Sequence, residues 1–300
     1  MIQGLIPWEF QVPAGFTVRG YHSPPSGKPV IHFIHGNGFC GLTFEPLLAQ
    51  FQHDFDLFIS DGQGHGDSDA GDVYPGWNQS AQNFELVWQH FSPMWQGVPK
   101  VALAHSYGAI MSTLMIAKNP DLFDVAILMD PVYTPPKLAG AMSAMSTLGL
   151  MKNMPLARQA RIRSVSWASR QEAWDYFHQR GIFKNWQDEC LNAYLNHALS
   201  TYEDGSMHLK CPARIEAAVF SGYANKLWGA IKSIKTPMTM IYGDETYSFV
   251  RKSCSKLRKT NPYYDFIEMS GGHCFMQEWP ELTAQEIKQK LRFQLKGFVK

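Results

Sequence analysis

A serine at a strand–helix junction and a histidine near the carboxyl end are the residues of this chain whose setting suits covalent chemistry. The stretch Val101-Ala102-Leu103-Ala104-His105-Ser106-Tyr107-Gly108-Ala109 runs from an apolar strand pattern straight into a helical one. A serine there sits on a cramped turn, which small neighbours two residues away on each side make sterically possible; Ala104 and Gly108 supply them. The turn projects the hydroxyl clear of a sheet, and the following helix N-terminus adds positive partial charge beside it. Ser106 is therefore the candidate nucleophile, and a hydroxyl needs a base to become one. His273, in Ser270-Gly271-Gly272-His273-Cys274-Phe275, lies on a glycine-flanked loop just after the last strand pattern, where its ring can reach across the top of a sheet.

Two further glycine-rich turns follow strand patterns. In His35-Gly36-Asn37-Gly38-Phe39 the glycines allow close approach of backbone to substrate. The N–H of Asn37, paired with that of Tyr107, would form an oxyanion hole for a tetrahedral intermediate. Asp61-Gly62-Gln63-Gly64-His65-Gly66-Asp67-Ser68 has neither the third-glycine spacing nor the immediate helix of a dinucleotide fingerprint. It reads as a sharp turn beside the other loops.

These loops need strands to end on. Phe16–His22, Val30–His35, Phe55–Ser60, Lys100–Ala104 and Val125–Met129 read as strands from their β-branched and aromatic content. Helical patterns over Leu42–Phe51, Ser80–Phe91 and about Tyr107–Lys118 alternate with them. The alternation resumes after Lys235-Thr236-Pro237 with strand Met238–Tyr242, a helix near Ser248–Lys259, strand Tyr264–Met269 and a terminal helix from about Glu281. Such a β-α-β succession predicts an α/β fold: a mostly parallel central sheet with helices on both faces. Residues 133–234 break the pattern with helical stretches rich in Met, Trp and Arg and no clear strand. A helical lid inserted into one core formed by residues 1–132 and 235–300 is the expected organisation.

The four segments in this order resemble the α/β-hydrolase fold superfamily, over roughly residues 15–132 and 235–298, with the insertion where that superfamily carries its variable lid. The resemblance implies Ser106 as nucleophile, His273 as general base and acid, and Asn37 and Tyr107 as oxyanion donors. A serine at position 106 argues against the branches that use a carboxylate nucleophile. The acid that orients the histidine usually stands three residues past a glycine, but here Gly243-Asp244-Glu245-Thr246 puts a threonine there. Some branches take the acid from the end of the preceding strand, which in this chain is Asp130 of Leu128-Met129-Asp130-Pro131. Asp130 is the expected acid, with Asp244 and Glu245 as alternatives.

Composition sets the outer limits. The chain has 300 residues, 45% of them hydrophobic and 18% charged, which is enough to bury a large core. A formal charge of +1 gives no global drive towards nucleic acid or an anionic surface. No apolar run is long enough to span a bilayer, and the amino end lacks the basic and apolar regions of a secretory signal. Five scattered cysteines without a C-x-x-C pair suggest neither zinc nor a disulfide framework, so a cytoplasmic protein with idle thiols is expected. Between residues 134 and 230, eleven Lys or Arg stand against seven Asp or Glu, an excess that suits either an anionic acid portion on the substrate or a solvated surface. The aromatic residues of the insertion either form its own small core or, with Met142, Met145 and Met151, line a pocket; Glu216 either braces the lid or touches substrate. The expected activity is hydrolysis of a small or medium carboxylic ester or thioester, with no metal or organic cofactor and a small acyl compound as partner. C–C bond hydrolysis or acyl transfer on the same residues, and ligand binding without catalysis, are the alternatives. Oligomeric state is not legible.

Overall fold

A strand with no solvent-facing side must be largely apolar, and four strands of this chain are buried at every position. The computed structural model describes residues 2–296; the last residues of the expected 235–300 segment, and Met1, lie outside them. From the amino end the chain forms β1 (Ile6–Gln11), β2 (Thr17–His22), β3 (Val30–Ile34), α1 (Glu45–Ala49), β4 (Asp56–Ser60), α2 (Trp77–Phe91), β5 (Lys100–His105), α3 (Tyr107–Lys118) and β6 (Val125–Met129). The stretch that follows contains α4 (Pro136–Thr147), α5 (Pro155–Ile162), β7 (Ser166–Trp167), α6 (Arg170–Phe177), α7 (Asp188–His197), β8 (Leu199–Thr201), β9 (Met207–Leu209), α8 (Ala213–Phe220) and α9 (Leu227–Ser233). The chain then returns with β10 (Met238–Gly243), α10 (Ser248–Leu257), β11 (Tyr264–Met269), α11 (Phe275–Glu278) and α12 (Pro280–Gln294).

Eight strands make one sheet in the order β1-β2-β4-β3-β5-β6-β10-β11. β1 and β2 pair antiparallel to their neighbours, and the other six run parallel. Every residue of β3, β4, β6 and β10 is buried. Each fully buried Val, Ile, Leu or Phe among them contributes about 1.5–3 kcal/mol, so these strands dominate the favourable side of folding. Helices on both faces supply the cover, with Trp88 of α2 packed on one face and Phe44, Leu47 and Leu48 on the other.

The winding direction of the sheet reverses at β3, which lies between β4 and β5. At such a point the loops leaving two adjacent strands diverge to opposite faces and open a crevice at the carboxyl edge. The loops after β3, β5, β6, β10 and β11 all leave from that edge, and they carry every residue singled out for chemistry. Two findings differ from the sequence pattern. β1 carries Pro7, which argues against a strand, and it is tolerated because β1 is the sheet edge. Residues 133–234 hold a small three-stranded sheet, β7-β9-β8, of two- and three-residue strands too short to show a period of two.

Histidines stitch the glycine-rich loops together in the neutral state. His35 Nε2, on the loop after β3, accepts the Gly62 N–H at 2.9 Å. His65 Nε2, on the loop after β4, accepts the Gly38 N–H at 3.0 Å in return. Burial pushes His35 down to about 3 and His65 down to about 4, and it also pushes down His32, to about 3, beneath the stacked Trp88 ring. Asp61, buried beneath the same loops, goes the other way and is pushed up to about 7 by burial.

The unfolded chain protonates these histidines below about pH 6.5, whereas the folded chain does not until about pH 3–4. Their contribution is therefore complete above that range and is lost as pH falls, while Asp61 opposes the trend with one carboxyl. Urea denaturation at pH 7, 6 and 5 should show stability falling by about 1–3 kcal/mol per pH unit. A midpoint that stays level or rises on acidification overturns the assignment of neutral histidines. A second expectation concerns close approach: a Cβ on Gly108 would strike the carbonyl oxygens of Ile34 and His35, whereas one on Gly140 in α4 meets nothing within 4 Å. Gly108→Val should cost at least about 3 kcal/mol in denaturant titration and Gly140→Ala nothing.

Candidate active site

Ser106 closes β5 and precedes the first residue of α3, with φ 53° and ψ −113°. A β-to-α reversal in a single residue forces this left-handed backbone, and the strain is held because α3 packs against the end of β3 through Gly108. The Ser106 N–H donates to the Met129 carbonyl at 2.9 Å, so the turn is also tied to the neighbouring β6. Its hydroxyl lies 2.9 Å from His273 Nε2.

On the other side of the imidazole, Nδ1 lies 2.6 Å from Asp130 Oδ2. Asp130 is the residue after β6, has φ 44°, and is wholly buried. Its second oxygen accepts the Gly243 N–H at 3.2 Å, and the Thr246 hydroxyl donates to Oδ2. A carboxylate with these partners has its lone pairs directed before the histidine is considered. Thr246, three residues past Gly243, thus supports the aspartate and does not stand in for it.

Asp244 and Glu245 do not reach the imidazole. Asp244 Oδ1 accepts the Gly271 N–H at 2.9 Å, and the Glu245 N–H donates to the Gly271 carbonyl at 3.0 Å. Both hold the backbone of the histidine loop from outside. Glu278 clamps the same loop by accepting the Gly272 N–H at 2.9 Å, and burial raises its carboxyl above the usual range. The end of β10 lies against this loop so closely that a Cβ on Gly243 would collide with the Gly271 and Gly272 carbonyls.

His105 was not singled out by its residue type, yet it is the innermost support of the site. It is wholly buried and donates from Nε2 to the His273 carbonyl at 3.0 Å. Burial, reinforced by the neighbouring His273, holds it well below the ordinary histidine range, so it is neutral. The His273 ring is packed between His105 and Tyr247, with ring centroids at 4.9 and 5.0 Å. Nothing in the local sequence marked His105, Tyr247 or Glu278 for this, because each acts across a distance in the chain.

The loop after β3 completes the edge. Tyr107 opens α3, so its N–H has no partner within the helix, and the Asn37 N–H donates to no backbone group among the described residues. The Asn37 side chain faces away and donates to the Glu216 carbonyl in α8 at 3.1 Å. Glu216 in turn pairs with Arg163 Nη1 at 2.7 Å against Gly38. Burial raises the Glu216 carboxyl, with Arg163 opposing, and its Oε2 has no partner among the described residues. The aromatic residues Trp167, Phe177, Phe183, Trp186 and Tyr194 form one buried cluster with the sheet face, and Phe39 stands at the join. Met151 is buried, while Met142 and Met145 are half-buried on α4.

Residues 25–247 match the model of the family described as serine aminopeptidase, S33. An uncharacterized protein, YqjL, of Bacillus subtilis is 27% identical over 117 residues, which are 39% of this chain and 45% of that one, so the match spans under half the length of this relative. Among solved structures, the peroxisomal α/β-hydrolase Lpx1 of Saccharomyces cerevisiae superposes with a TM-score of 0.79 at 17% identity, covering 100% of this chain and 92% of that one. A thioesterase domain from the curacin biosynthetic pathway gives 0.72 at 18% identity, covering 94% and 98%. The eight-stranded sheet with its reversal at β3 and the family match over most of the chain lead to one assignment: the chain belongs to the serine aminopeptidase S33 family of the α/β-hydrolase superfamily.

Proposed function

We propose that this hydrolase-family chain cleaves a small or medium carboxylic ester or thioester through an acyl-enzyme on Ser106. The observation that carries the reading is the His273 ring, which lies within hydrogen-bond reach of Ser106 Oγ on one side and of the buried Asp130 carboxylate on the other. In this reading Asp130 holds Nδ1 protonated, leaving the Nε2 lone pair to take the Ser106 proton as Oγ attacks the carbonyl carbon. Negative charge develops on the carbonyl oxygen, where the N–H groups of Asn37 and Tyr107 receive it; a donor of this kind is worth roughly 3–4 kcal/mol of transition-state stabilisation. The imidazolium returns its proton to the leaving alcohol or thiol. Water, activated by the same ring, then releases the acid.

Residues 133–234 serve in this reading as the cap of the site. Glu216 supports it, since α8 meets the oxyanion loop through the Glu216 carbonyl and the Arg163 ion pair. The thioesterase named above and the aminopeptidase description of the family bracket the leaving groups worth testing: alcohol, thiol and amine. No helix among the described residues is long and apolar enough to cross a membrane, and the five free cysteines suit a reducing compartment such as the cytoplasm.

Stoichiometric labelling of Ser106 by a phosphonofluoridate is expected, and a folded protein that forms no adduct would favour a ligand-binding role instead. A panel of aryl esters of graded chain length, an acyl thioester and an aminoacyl anilide should give its highest kcat/KM with an ester or thioester; a preference for the anilide replaces the substrate class while keeping the residues. Asp130→Asn should lower kcat on the order of 10³–10⁴-fold with the fold intact by circular dichroism. Asp244→Asn keeps an acceptor for Gly271 and should retain the rate within about tenfold. If the two variants exchange these outcomes, the acid is Asp244.

A further inference from the structure

Between Asp130 and Glu172 the chain has no acidic residue, while Lys137, Lys152, Arg158, Arg161, Arg163 and Arg170 give it six positive charges. The whole chain has a formal charge of only +1, so the rest of the molecule is five charges negative. Charge is segregated, not absent. Arg163 is taken up by Glu216, whereas Lys137, Lys152, Arg158 and Arg161 form no ion pair among the described residues.

The same stretch exposes apolar side chains of a size that water disfavours. Leu138, Leu148, Leu150, Met154, Leu156 and Ile162 are all exposed, Leu148 at 72% and Ile162 at 76%. None of the twelve residues of α4 is buried, and Lys137 is its one charge. A helix with a single charge and no buried residue lacks what keeps a solvated helix soluble. α5 turns Ala157 and Ala160 inward, which leaves Leu156, Arg158, Arg161 and Ile162 on its outer side. Aliphatic groups and unpaired cations share one stretch of chain, α4 to α5. That combination matches an anionic lipid surface, where apolar groups enter the acyl boundary and cations meet headgroup phosphates. Nucleic acid would use the cations alone and would leave the leucines in water.

We propose that the α4–α5 stretch docks this protein peripherally on anionic lipid. The surface lies outside the Ser106–His273–Asp130 group, so the proposal stands or falls separately from the catalytic reading. The full chain is tested by flotation with vesicles of phosphatidylcholine alone and of phosphatidylcholine mixed with phosphatidylglycerol. It should float with the mixed vesicles, not with the neutral ones, and raised salt should release it. Lys152→Gln with Arg158→Gln should lower the partition coefficient on the order of fivefold per charge, and Leu148→Ser with Ile162→Ser should lower it at least tenfold. All four side chains are exposed, so both variants should keep the phosphonofluoridate reactivity of the unaltered protein. No flotation, flotation indifferent to headgroup charge, or variants that float undiminished overturns the proposal. So does a dimer dispersed by Leu148→Ser with Ile162→Ser in a protein that ignores vesicles, since this stretch would then cover a second copy of the chain.

Discussion

An imidazole held between a hydroxyl and a buried carboxylate is the arrangement around which the rest of this molecule is organised. Asp130 is wholly buried, and removing a carboxylate from water costs several kcal/mol unless donors surround it. Three donors do so from two segments: the Gly243 N–H and the Thr246 hydroxyl from one, and His273 from the other. Two of them come from the end of β10, so the carboxylate is satisfied only when β6 and β10 pair and the histidine loop folds over them. Sheet formation and site assembly are one event.

The histidine loop illustrates how many contacts are spent on holding one ring. Its backbone is gripped by Asp244 and Glu278 through adjacent N–H groups and by His105 through the His273 carbonyl. The ring lies between His105 and Tyr247. Each contact removes a freedom of the ring or of the loop that carries it. Neutral histidines perform this structural work throughout the edge, because a ring that both donates and accepts can link two loops without bringing in a charge.

The exterior follows a different electrostatic logic. Acidic residues are absent from the stretch containing α4 and α5 while the remainder of the chain is net negative. The near-zero total conceals this separation. Next to that stretch, Arg163 meets Glu216 where α8 touches the loop after β3, so residues 133–234 have a polar attachment to this loop and an apolar, cationic outer side.

What the sequence by itself determined was everything governed by local period and local sterics. β6 falls where the apolar pattern put it, since a strand buried on both faces cannot hide its composition, and β11 and α3 fall where the strand and helix patterns put them. Ser106 was legible because a strand-to-helix reversal demands small residues beside it. The glycines flanking His273 were visible for a similar reason. Tertiary structure decided the partners. Asp130, Asp244 and Glu245 are alike as residue types, and only the pairing of β10 with β6 turns Asp130 towards the imidazole while Asp244 engages Gly271. His105 in β5 reads as an ordinary strand residue until β5 is set beside the loop that carries His273. β1 escaped notice because Pro7 is acceptable only at an edge, and no local pattern reveals which strand will be the edge. Period and sterics are properties of neighbours along the chain, whereas hydrogen-bond partners and sheet edges are set by which distant segments pack together.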